Sequence, residues 1–332
     1  PRGDHVRLVR PRGSQPPGGR ACAARVITNL TRRKAANAKR GSKGPGRFTS
    51  AGEHDIQAVP SGAGTLRVVG STATISKTSG ATGSSILANV DNAGGIVSNA
   101  ATGALNFAGG GKSTGTMKVP AASNTMNFTN GTFDDNGTFS GSGTINVAGA
   151  TLNINVATPF GSGNPNININ GGTLGGTGTV SILGASNWSS GTITGSAPFN
   201  VTSPGVLAIT GALGPMTLDG RVFNDNSSVV YNSPTNNLTL KNSASIFNSG
   251  TFTAIGSGTI DTDGSAVSLT NNGQFNKTNS SLFIFKPSFN NNGTGVAITG
   301  GVLAIDGDGV SSAPFTMSAG TDGCVPTPLA TT

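Results

Sequence analysis

The chain has 332 residues, a formal net charge of +8 and a pI near 10, yet only 10% of its residues are charged. Residues 1–60 hold 13 of the 21 Lys and Arg and 3 of the 13 Asp and Glu, whereas residues 61–332 hold 8 and 10. The basic character therefore belongs to the segment 1–60, and the near-neutral remainder argues against a nucleic-acid-binding main domain. No apolar run approaches the length of a membrane-spanning helix, so none is predicted.

The segment 1–60 is rich in Arg, Pro, Gly and Ala and shows little hydrophobic periodicity. Such a segment buries too little apolar area to offset its chain entropy, and we expect a disordered basic arm. It starts with proline and has no visible secretion signal, so a second interpretation is a non-native or mis-assigned start. One functional hypothesis for this segment is nucleic-acid binding by residues 1–47, which would be sensitive to salt.

From about residue 62 the composition changes and stays uniform to about residue 323. Short segments with β-branched residues or leucine at every second position, bounded by Gly, Asn, Ser or Pro, predict β-strands. The clearest of these segments are 66–69, 144–147, 151–156, 166–170, 238–240 and 302–305. No helical period is present, and the 52 glycines of the chain would make long helices costly.

Internal repetition indicates how these strands are arranged. Residues 103–121 align without a gap with residues 301–319, and Phe-Asn/Asp turns recur at 133–139, 247–252 and 289–294. Hydrophobic residues precede successive turns at Phe223, Phe247, Leu269 and Phe289, a step of about 20–24 residues. That period suits one coil of a right-handed parallel β-helix of about a dozen coils, with apolar ladders inside and Asn and Gly in left-handed corners.

The order and spacing of several short motifs resemble a family of bacterial β-helical surface repeats. The motifs are Trp-Ser-Ser-Gly-Thr-Ile-Thr-Gly at 188–195, Leu-Asp-Gly-Arg-Val-Phe-Asn at 218–224, Phe-Asn-Lys at 275–277 and Gly-Gly-Val-Leu-Ala-Ile at 300–305. Similar tracts occur in adhesin-like and autotransporter-passenger-like proteins. The resemblance covers residues 85–323, is clearest over 186–320, and implies an extracellular location and no catalytic motif.

Two sets of residues are candidates for catalysis. Asp134 and Asp135 match the paired carboxylates of β-helical polysaccharide-degrading enzymes, and Asp219 with Arg221 is the second set. Residues 61–332 contain no histidine or glutamate that could complete a catalytic set. The competing interpretation is that the aspartates are turn residues, a role that Asp favours. Clustering of these side chains on one face of adjacent coils would favour an enzyme, whereas scattered positions would count against it.

Two acidic turns are candidates for calcium binding. Asp261 with Asp263, and Asp306 with Asp308, resemble fragments of calcium loops, but neither stretch has a full loop spacing. The alternative is that these side chains cap corners of the solenoid. No metal site and no cofactor are therefore predicted.

Trp188 and Tyr231 are the only large aromatic residues with a polar group in residues 61–332. If exposed, either could stack on a sugar ring, whereas burial would make it a core or corner residue.

The sequence thus predicts an all-β chain with three parts: a basic arm at 1–60, a β-helix at 61–323 and a Pro/Thr-rich tail at 324–332. The expected function is a non-enzymatic, secreted or cell-surface module whose long polar surface makes weak multivalent contacts, with glycans or a host or neighbouring cell surface as partners. The alternative is a β-helical lyase or glycoside hydrolase acting on polysaccharide.

Overall fold

The computed structural model describes residues 47–51 and 64–318, which form 32 β-strands and no helix. The first sixteen strands are β1 (Arg47–Ala51), β2 (Thr65–Val69), β3 (Thr74–Ser79), β4 (Ser84–Ile86), β5 (Asn89–Ala93), β6 (Ile96–Asn99), β7 (Leu105–Phe107), β8 (Gly111–Ser113), β9 (Thr116–Lys118), β10 (Thr125–Phe128), β11 (Thr132–Asp135), β12 (Thr138–Ser140), β13 (Thr144–Val147), β14 (Thr151–Ile154), β15 (Thr158–Phe160) and β16 (Asn166–Gly175). The other sixteen are β17 (Val180–Ile182), β18 (Ala185–Thr194), β19 (Phe199–Ile209), β20 (Met216–Asp219), β21 (Val222–Tyr231), β22 (Leu238–Lys241), β23 (Ser245–Asn248), β24 (Thr251–Ala254), β25 (Gly258–Thr262), β26 (Ser268–Asn271), β27 (Gln274–Lys277), β28 (Leu282–Phe285), β29 (Ser288–Asn291), β30 (Gly295–Ile298), β31 (Val302–Ile305) and β32 (Phe315–Met317).

The strands wind into a β-solenoid of about 12 turns, as the sequence predicted. All pairings between named strands are parallel, and each strand pairs with the strand three segments further along the chain, so every coil contributes one segment to each of three faces. At about 4.8 Å per coil, twelve coils span about 50–60 Å. The coil length varies, because Phe133 pairs with Leu152, whereas Ile193 pairs with Leu218 after a longer stretch of chain.

We number the faces in chain order. Face 1 consists of β2, β5, β8, β11, β14, the second halves of β16 and β18, and β20, β22, β25, β28 and β31. Face 2 consists of β1, β3, β6, β9, β12, β15, β17, the first parts of β19 and β21, and β23, β26 and β29. Face 3 consists of β4, β7, β10, β13, the first halves of β16 and β18, the second parts of β19 and β21, and β24, β27, β30 and β32.

The alternation of apolar and polar residues explains this architecture. Along each short strand, every second side chain points inward and is buried, and the intervening ones point outward. Apolar residues form stacked ladders inside, and aromatic rings meet between coils: Phe107 and Phe128 stack at 5.0 Å, and Phe252 and Phe275 at 5.2 Å. Each large side chain buried in this way stabilises the fold by about 1.5–3 kcal/mol.

Corners between faces depend on glycine at particular positions. Gly191 turns the chain within β18 from face 3 to face 1 with a φ of 90°, and a Cβ there would lie 2.2 Å from the carbonyl oxygen of Gly172 in the coil below. Asn242 and Asn279 also adopt positive φ, as expected for corner asparagines.

Two sequence-based expectations need correction. The aligned segments 103–121 and 301–319 are not equivalent, because Leu105 lies on face 3 and Leu303 on face 1. The second correction concerns register: Phe223 pairs with Ile246, not with Phe247, which points outward and is 38% exposed. A shift of one residue along a strand moves a side chain from the inside of the coil to the outside. Aligning the phenylalanines by residue identity therefore assigned the wrong register to this coil.

A short part of the predicted basic arm lies within the described residues. The strand β1, at Arg47–Ala51, lies within residues 1–60 and pairs in parallel with β3 on face 2. The predicted segment 151–156 also becomes a shorter strand, because β14 ends at Ile154. The rest of the predicted arm and the tail at 324–332 lie outside the described residues, as does all of segment 1–47 except Arg47. The hypothesis of nucleic-acid binding by residues 1–47 therefore stays a prediction.

Candidate functional site

The two neighbouring aspartates of β11 point in opposite directions. Asp134 faces outward on face 1, where its Oδ1 accepts a hydrogen bond from Nδ2 of Asn153 at 2.7 Å. Asp135 faces inward and is fully buried. The two carboxyl groups therefore do not share a surface on which a substrate could meet both.

The second candidate set also divides between surface and interior. Asp219 lies on face 1 and accepts a hydrogen bond from Nδ2 of Asn242 at 2.6 Å. Arg221 is 1% exposed and donates to four backbone oxygens, those of Ala197, Thr194, Gly178 and Pro198, at 2.7, 2.7, 3.0 and 3.4 Å. Burial lowers the pKa of Arg221 to about 10. The guanidinium joins three coils and holds the corner before face 2.

The outward carboxylates are also far apart along the axis. Asp134 and Asp219 occupy the same outward column of face 1 but are separated by four coil steps. At about 4.8 Å per step that is about 19 Å, whereas glycosidase carboxylates lie about 5–9.5 Å apart. This scattered placement counts against the enzyme hypothesis.

Both aromatic candidates are in the core. Trp188 is fully buried on face 3 and its Nε1 donates to the Gly191 carbonyl oxygen at 3.3 Å. Tyr231 is also fully buried, its hydroxyl donates to the Thr259 carbonyl oxygen at 3.0 Å, and burial raises its pKa to about 12. The exposure that sugar stacking requires is absent at both positions, and core packing accounts for them.

The two acidic turns differ in their surroundings, and the side chains of the first turn are engaged by local contacts. Asp261 forms an ion pair with Nζ of Lys286 at 3.2 Å. Asp263 accepts hydrogen bonds from the hydroxyl and the amide of Ser265, which lower the pKa of its carboxyl. Asp306 and Asp308 are exposed, two coils further on. Residues 64–318 contain no group of three or more His, Cys, Asp or Glu side chains arranged to hold a metal ion.

The structure reveals two polar stacks inside the coil that sequence analysis did not predict. On face 2, Asn248, Asn271 and Asn291 are fully buried in register. Nδ2 of Asn248 donates to Oδ1 of Asn271 at 2.7 Å, and Nδ2 of Asn271 donates to Oδ1 of Asn291 at 2.9 Å. Each amide also donates to a backbone oxygen of the next coil, so the stack joins successive corners.

Each stack includes a buried carboxyl group. Asp225 is the register partner of Asn248 in the preceding coil. Burial raises the pKa of Asp225 to about 6. On face 1, Asn92, Ser113 and Asp135 are stacked, and Nδ2 of Asn92 donates to the Ser113 hydroxyl at 3.1 Å. Burial raises the pKa of Asp135 to about 7, opposed only in part by the Gly137 amide and the Ser113 hydroxyl. Neither oxygen of Asp135 has a hydrogen bond of normal geometry to the described part of the chain.

The signal for these stacks was present in the sequence. A polar residue is followed two positions later by glycine at Asp135, Asn248, Asn271 and Asn291, in each case at the end of a strand. The shared element of the recurring turns is therefore the inward polar residue and its glycine, not the phenylalanine.

Charges on the outside of the solenoid are concentrated on face 1. One outward column alternates in sign over its first four coils: Arg67, Asp91, Lys112 and Asp134 are register partners. Arg67 and Asp91 form an ion pair with Nε to Oδ2 at 2.9 Å. Later in the same column Asp219 and Lys241 are register partners.

The other outward column of face 1 carries an unbroken run of threonines, at Thr132, Thr151, Thr173, Thr192, Thr217 and Thr239.

Face 3 carries no outward charge over residues 64–318, since the one Asp, Glu, Lys or Arg in its strands, Lys277, points inward and is fully buried. Nζ of Lys277 donates to the backbone oxygens of Thr278 and Asn279, at 2.6 and 3.1 Å, and burial lowers its pKa. The corners on both sides of face 3 are also free of charged residues over the same part of the chain. The outside of face 3 and its corners are thus uncharged throughout the described coils, and residues 136–218 carry no charge on any face.

An asparagine ladder runs along the outside of face 3. Nδ2 of Asn127 donates to Oδ1 of Asn106 at 2.8 Å, Nδ2 of Asn146 to Oδ1 of Asn127 at 2.9 Å, and Nδ2 of Asn168 to Oδ1 of Asn146 at 3.1 Å. The backbone amide of Asn187 donates to Oδ1 of Asn168 at 3.0 Å. We call Asn106, Asn127, Asn146, Asn168 and Asn187 the outer amide ladder.

Comparison with protein-family models, with curated proteins and with solved structures gave no match to this chain. Over its described residues the chain forms no helix of the length and apolarity needed to cross a membrane.

Proposed function

We propose that this chain is a non-enzymatic structural and adhesive module that presents a long polar surface for weak, multivalent contacts outside the cell. The observation that carries the proposal is the repetition of the same outward polar groups on successive coils, as in the outer amide ladder. Such a surface offers many similar contacts along one axis, and their combined effect is avidity. The motif resemblance to adhesin-like and autotransporter-passenger-like repeats supports a surface location.

The placement of the acidic residues favours this proposal over a polysaccharide-degrading enzyme. Two carboxylates that act as acid and base have to flank one scissile bond. Here Asp135 is buried, and Asp134 and Asp219 are four coils apart on face 1. Both surface carboxylates are engaged by asparagine side chains of the next coil.

The partner class under this proposal is a glycan or a cell surface that carries glycans. Phe247 is the one exposed aromatic residue among positions 64–318, so ring stacking contributes at most one contact there. Hydrogen bonds to side chains that also contact water contribute only about 0.5–1.5 kcal/mol each. Affinity for a single sugar unit is therefore low, and detectable binding depends on repeated units.

The test is a glycan array probed with the full chain, in which each glycan is printed at several densities and chain lengths. Repeated weak contacts predict binding that rises steeply with glycan length and density, and no binding to monosaccharides. Equal affinity for a monosaccharide and its polymer would indicate one discrete pocket and contradict the proposal. An absence of binding to every glycan and to intact cells would also contradict it.

A further inference from the structure

We infer that the contact surface is face 3 and that its ligand class is a neutral polysaccharide lying along the outer amide ladder. This inference rests on the proposed function, because it assigns a face and a ligand chemistry to the same adhesive activity. It depends on two observations: the absence of outward charge from the described part of face 3 and the hydrogen-bonding state of the ladder amides.

The charge distribution selects the chemistry of the partner. Over residues 64–318 the outward side chains of face 3 are uncharged, and the coils that carry Asn146, Asn168 and Asn187 have no charged residue on any face. An acidic or basic polymer on face 3 would lose hydration of its charges without gaining a counter-charge. An apolar partner would bury the ladder amides without hydrogen bonds, which is also unfavourable.

The ladder amides retain hydrogen-bonding capacity in a fixed geometry. An asparagine amide has two N–H donors and an oxygen with two lone pairs. The Asn127 and Asn146 amides each donate one hydrogen bond and accept one within the ladder, which leaves one donor and one lone pair on each. Both residues are partly exposed on the outside of face 3, which is the side from which a ligand would approach these groups.

The bonds within the ladder also reduce the entropic cost of binding. Side chains that are already ordered by the fold lose little conformational freedom when a ligand arrives, and this favours affinity from individually weak contacts. The ladder repeats donor and acceptor at about 4.8 Å per coil over five coils, a length of about 19 Å. A ligand that matches it is uncharged, extended, and carries hydroxyl groups that donate and accept at regular intervals. A neutral polysaccharide has these properties.

The experiment measures binding of the full chain to insoluble neutral polysaccharides, cellulose and chitin, and to the charged polymers polygalacturonate and chitosan. The ladder variant combines Asn127→Val, Asn146→Val and Asn168→Val, because valine already occupies the same outward column at Val230. A second variant, Asn146→Asp, keeps the side-chain shape and adds a charge at the centre of the ladder. The matched control is Asn200→Val with Asn224→Val, a pair on face 2 joined by the same kind of bond at 2.8 Å. Circular dichroism and thermal unfolding verify that each variant is folded.

The inference predicts binding to a neutral polysaccharide that changes little between about 0.05 and 0.5 M salt, because no ion pairs are involved. The ladder variant should bind about tenfold more weakly or worse, since three amides are lost, while the face 2 control binds normally. Asn146→Asp should also weaken binding to neutral polymers.

Three results would overturn the inference and leave the proposed adhesive function standing. They are neutral-polymer binding that the ladder variant retains, neutral-polymer binding that the face 2 control or Phe247→Ala abolishes, and salt-sensitive binding to charged polymers alone. Self-association of the chain through face 3, seen as a dimer that the ladder variant dissociates, would assign this surface to a second copy and overturn it as well. Failure to bind any of the four polymers would overturn the inference, and the proposed function would fall with it only if the glycan array and intact cells were also negative.

Discussion

Asp134 and Asp135 are adjacent in β11, yet their carboxyl groups occupy opposite environments. Asp134 accepts a hydrogen bond from Asn153 on the outside of face 1 at 2.7 Å, and Asp135 lies fully buried against Ser113 in the interior. The two-residue period of a strand produces this separation. It counts against the pair as a catalytic dyad, and the burial of Asp135 makes the stability of the fold depend on pH.

The first prediction is that stability falls as the pH rises from about 4 to about 7. The pKa of Asp135 is about 7 in the fold against 3.8 as an ordinary value, so the folded chain binds more protons than the unfolded chain across this window. Stability is full below pH 4 and is lost as pH rises through 7, by about 2–4 kcal/mol for this residue. Asp225, with a pKa of about 6, adds a loss of the same sign. Urea unfolding at a series of pH values measures the effect.

The control for this prediction is the neighbouring residue. Asp135→Asn should remove most of the decline and raise stability at pH 8, because an amide has no charge to bury. Asp134→Asn, on the outer face, should leave the decline in place. A decline that Asp135→Asn leaves unchanged would show that the buried carboxyl is not its source.

The second prediction concerns the inner asparagine stack. Asn271→Ala removes the acceptor of Asn248 and the donor to Asn291 and to the Gly295 carbonyl oxygen. Loss of these buried bonds should lower the free energy of unfolding by about 2–4 kcal/mol. Asn276→Ala, on the outer side of the same coil, should cost less than about 1 kcal/mol, and equal costs in urea unfolding would contradict the inward assignment of Asn271.

The third prediction concerns Arg221. Arg221→Ala leaves the carbonyl oxygens of Thr194, Ala197 and Gly178 without their donor and should cost about 3–5 kcal/mol. Arg221→Lys should recover little, since one ammonium cannot replicate the fork of a guanidinium. Hydrogen exchange should show increased opening around residues 178–198. Normal protection there in Arg221→Ala would refute its role as a clamp between coils.

The fourth prediction tests the register of face 2. Ile246 is fully buried and pairs with Phe223 and Leu269, whereas Phe247 points outward. Ile246→Ala should cost about 2–5 kcal/mol in thermal or urea unfolding, and Phe247→Ala less than about 1 kcal/mol. A larger cost for Phe247→Ala than for Ile246→Ala would contradict this register and support the one in which Phe247 follows Phe223 in the core.

The sequence predicted the parts of the fold that local chemistry determines. Alternation of apolar and polar residues located strands such as those at Thr144–Val147 and Val302–Ile305, and the density of Asn and Gly indicated short coils. The coil length could be read only approximately, because the step from one coil to the next is not constant along this chain. Register needs the exact step, and Phe247 shows that one residue reverses the side that a residue occupies.

The surfaces could not be predicted for the same reason. Asn106, Asn127 and Asn146 are each separated by a whole coil of sequence, and only the register shows that they form one ladder. The buried asparagines were missed because amides are assigned to the outside by default, although burial is favourable when each amide finds partners in the next coil. Trp188 and Tyr231 illustrate the converse, since residue type alone does not distinguish a core aromatic from an exposed one.

The most direct test of a passive binding surface is one incubation in which bound protein and released reducing ends are both measured. The full chain is mixed with the polysaccharide that it binds on the array, and both quantities are followed over time. A passive surface predicts saturable binding with no release above the rate of a heat-denatured sample. Release that proceeds with time and disappears in Asp134→Ala or Asp219→Ala would contradict this function and establish a polysaccharide-degrading enzyme in its place.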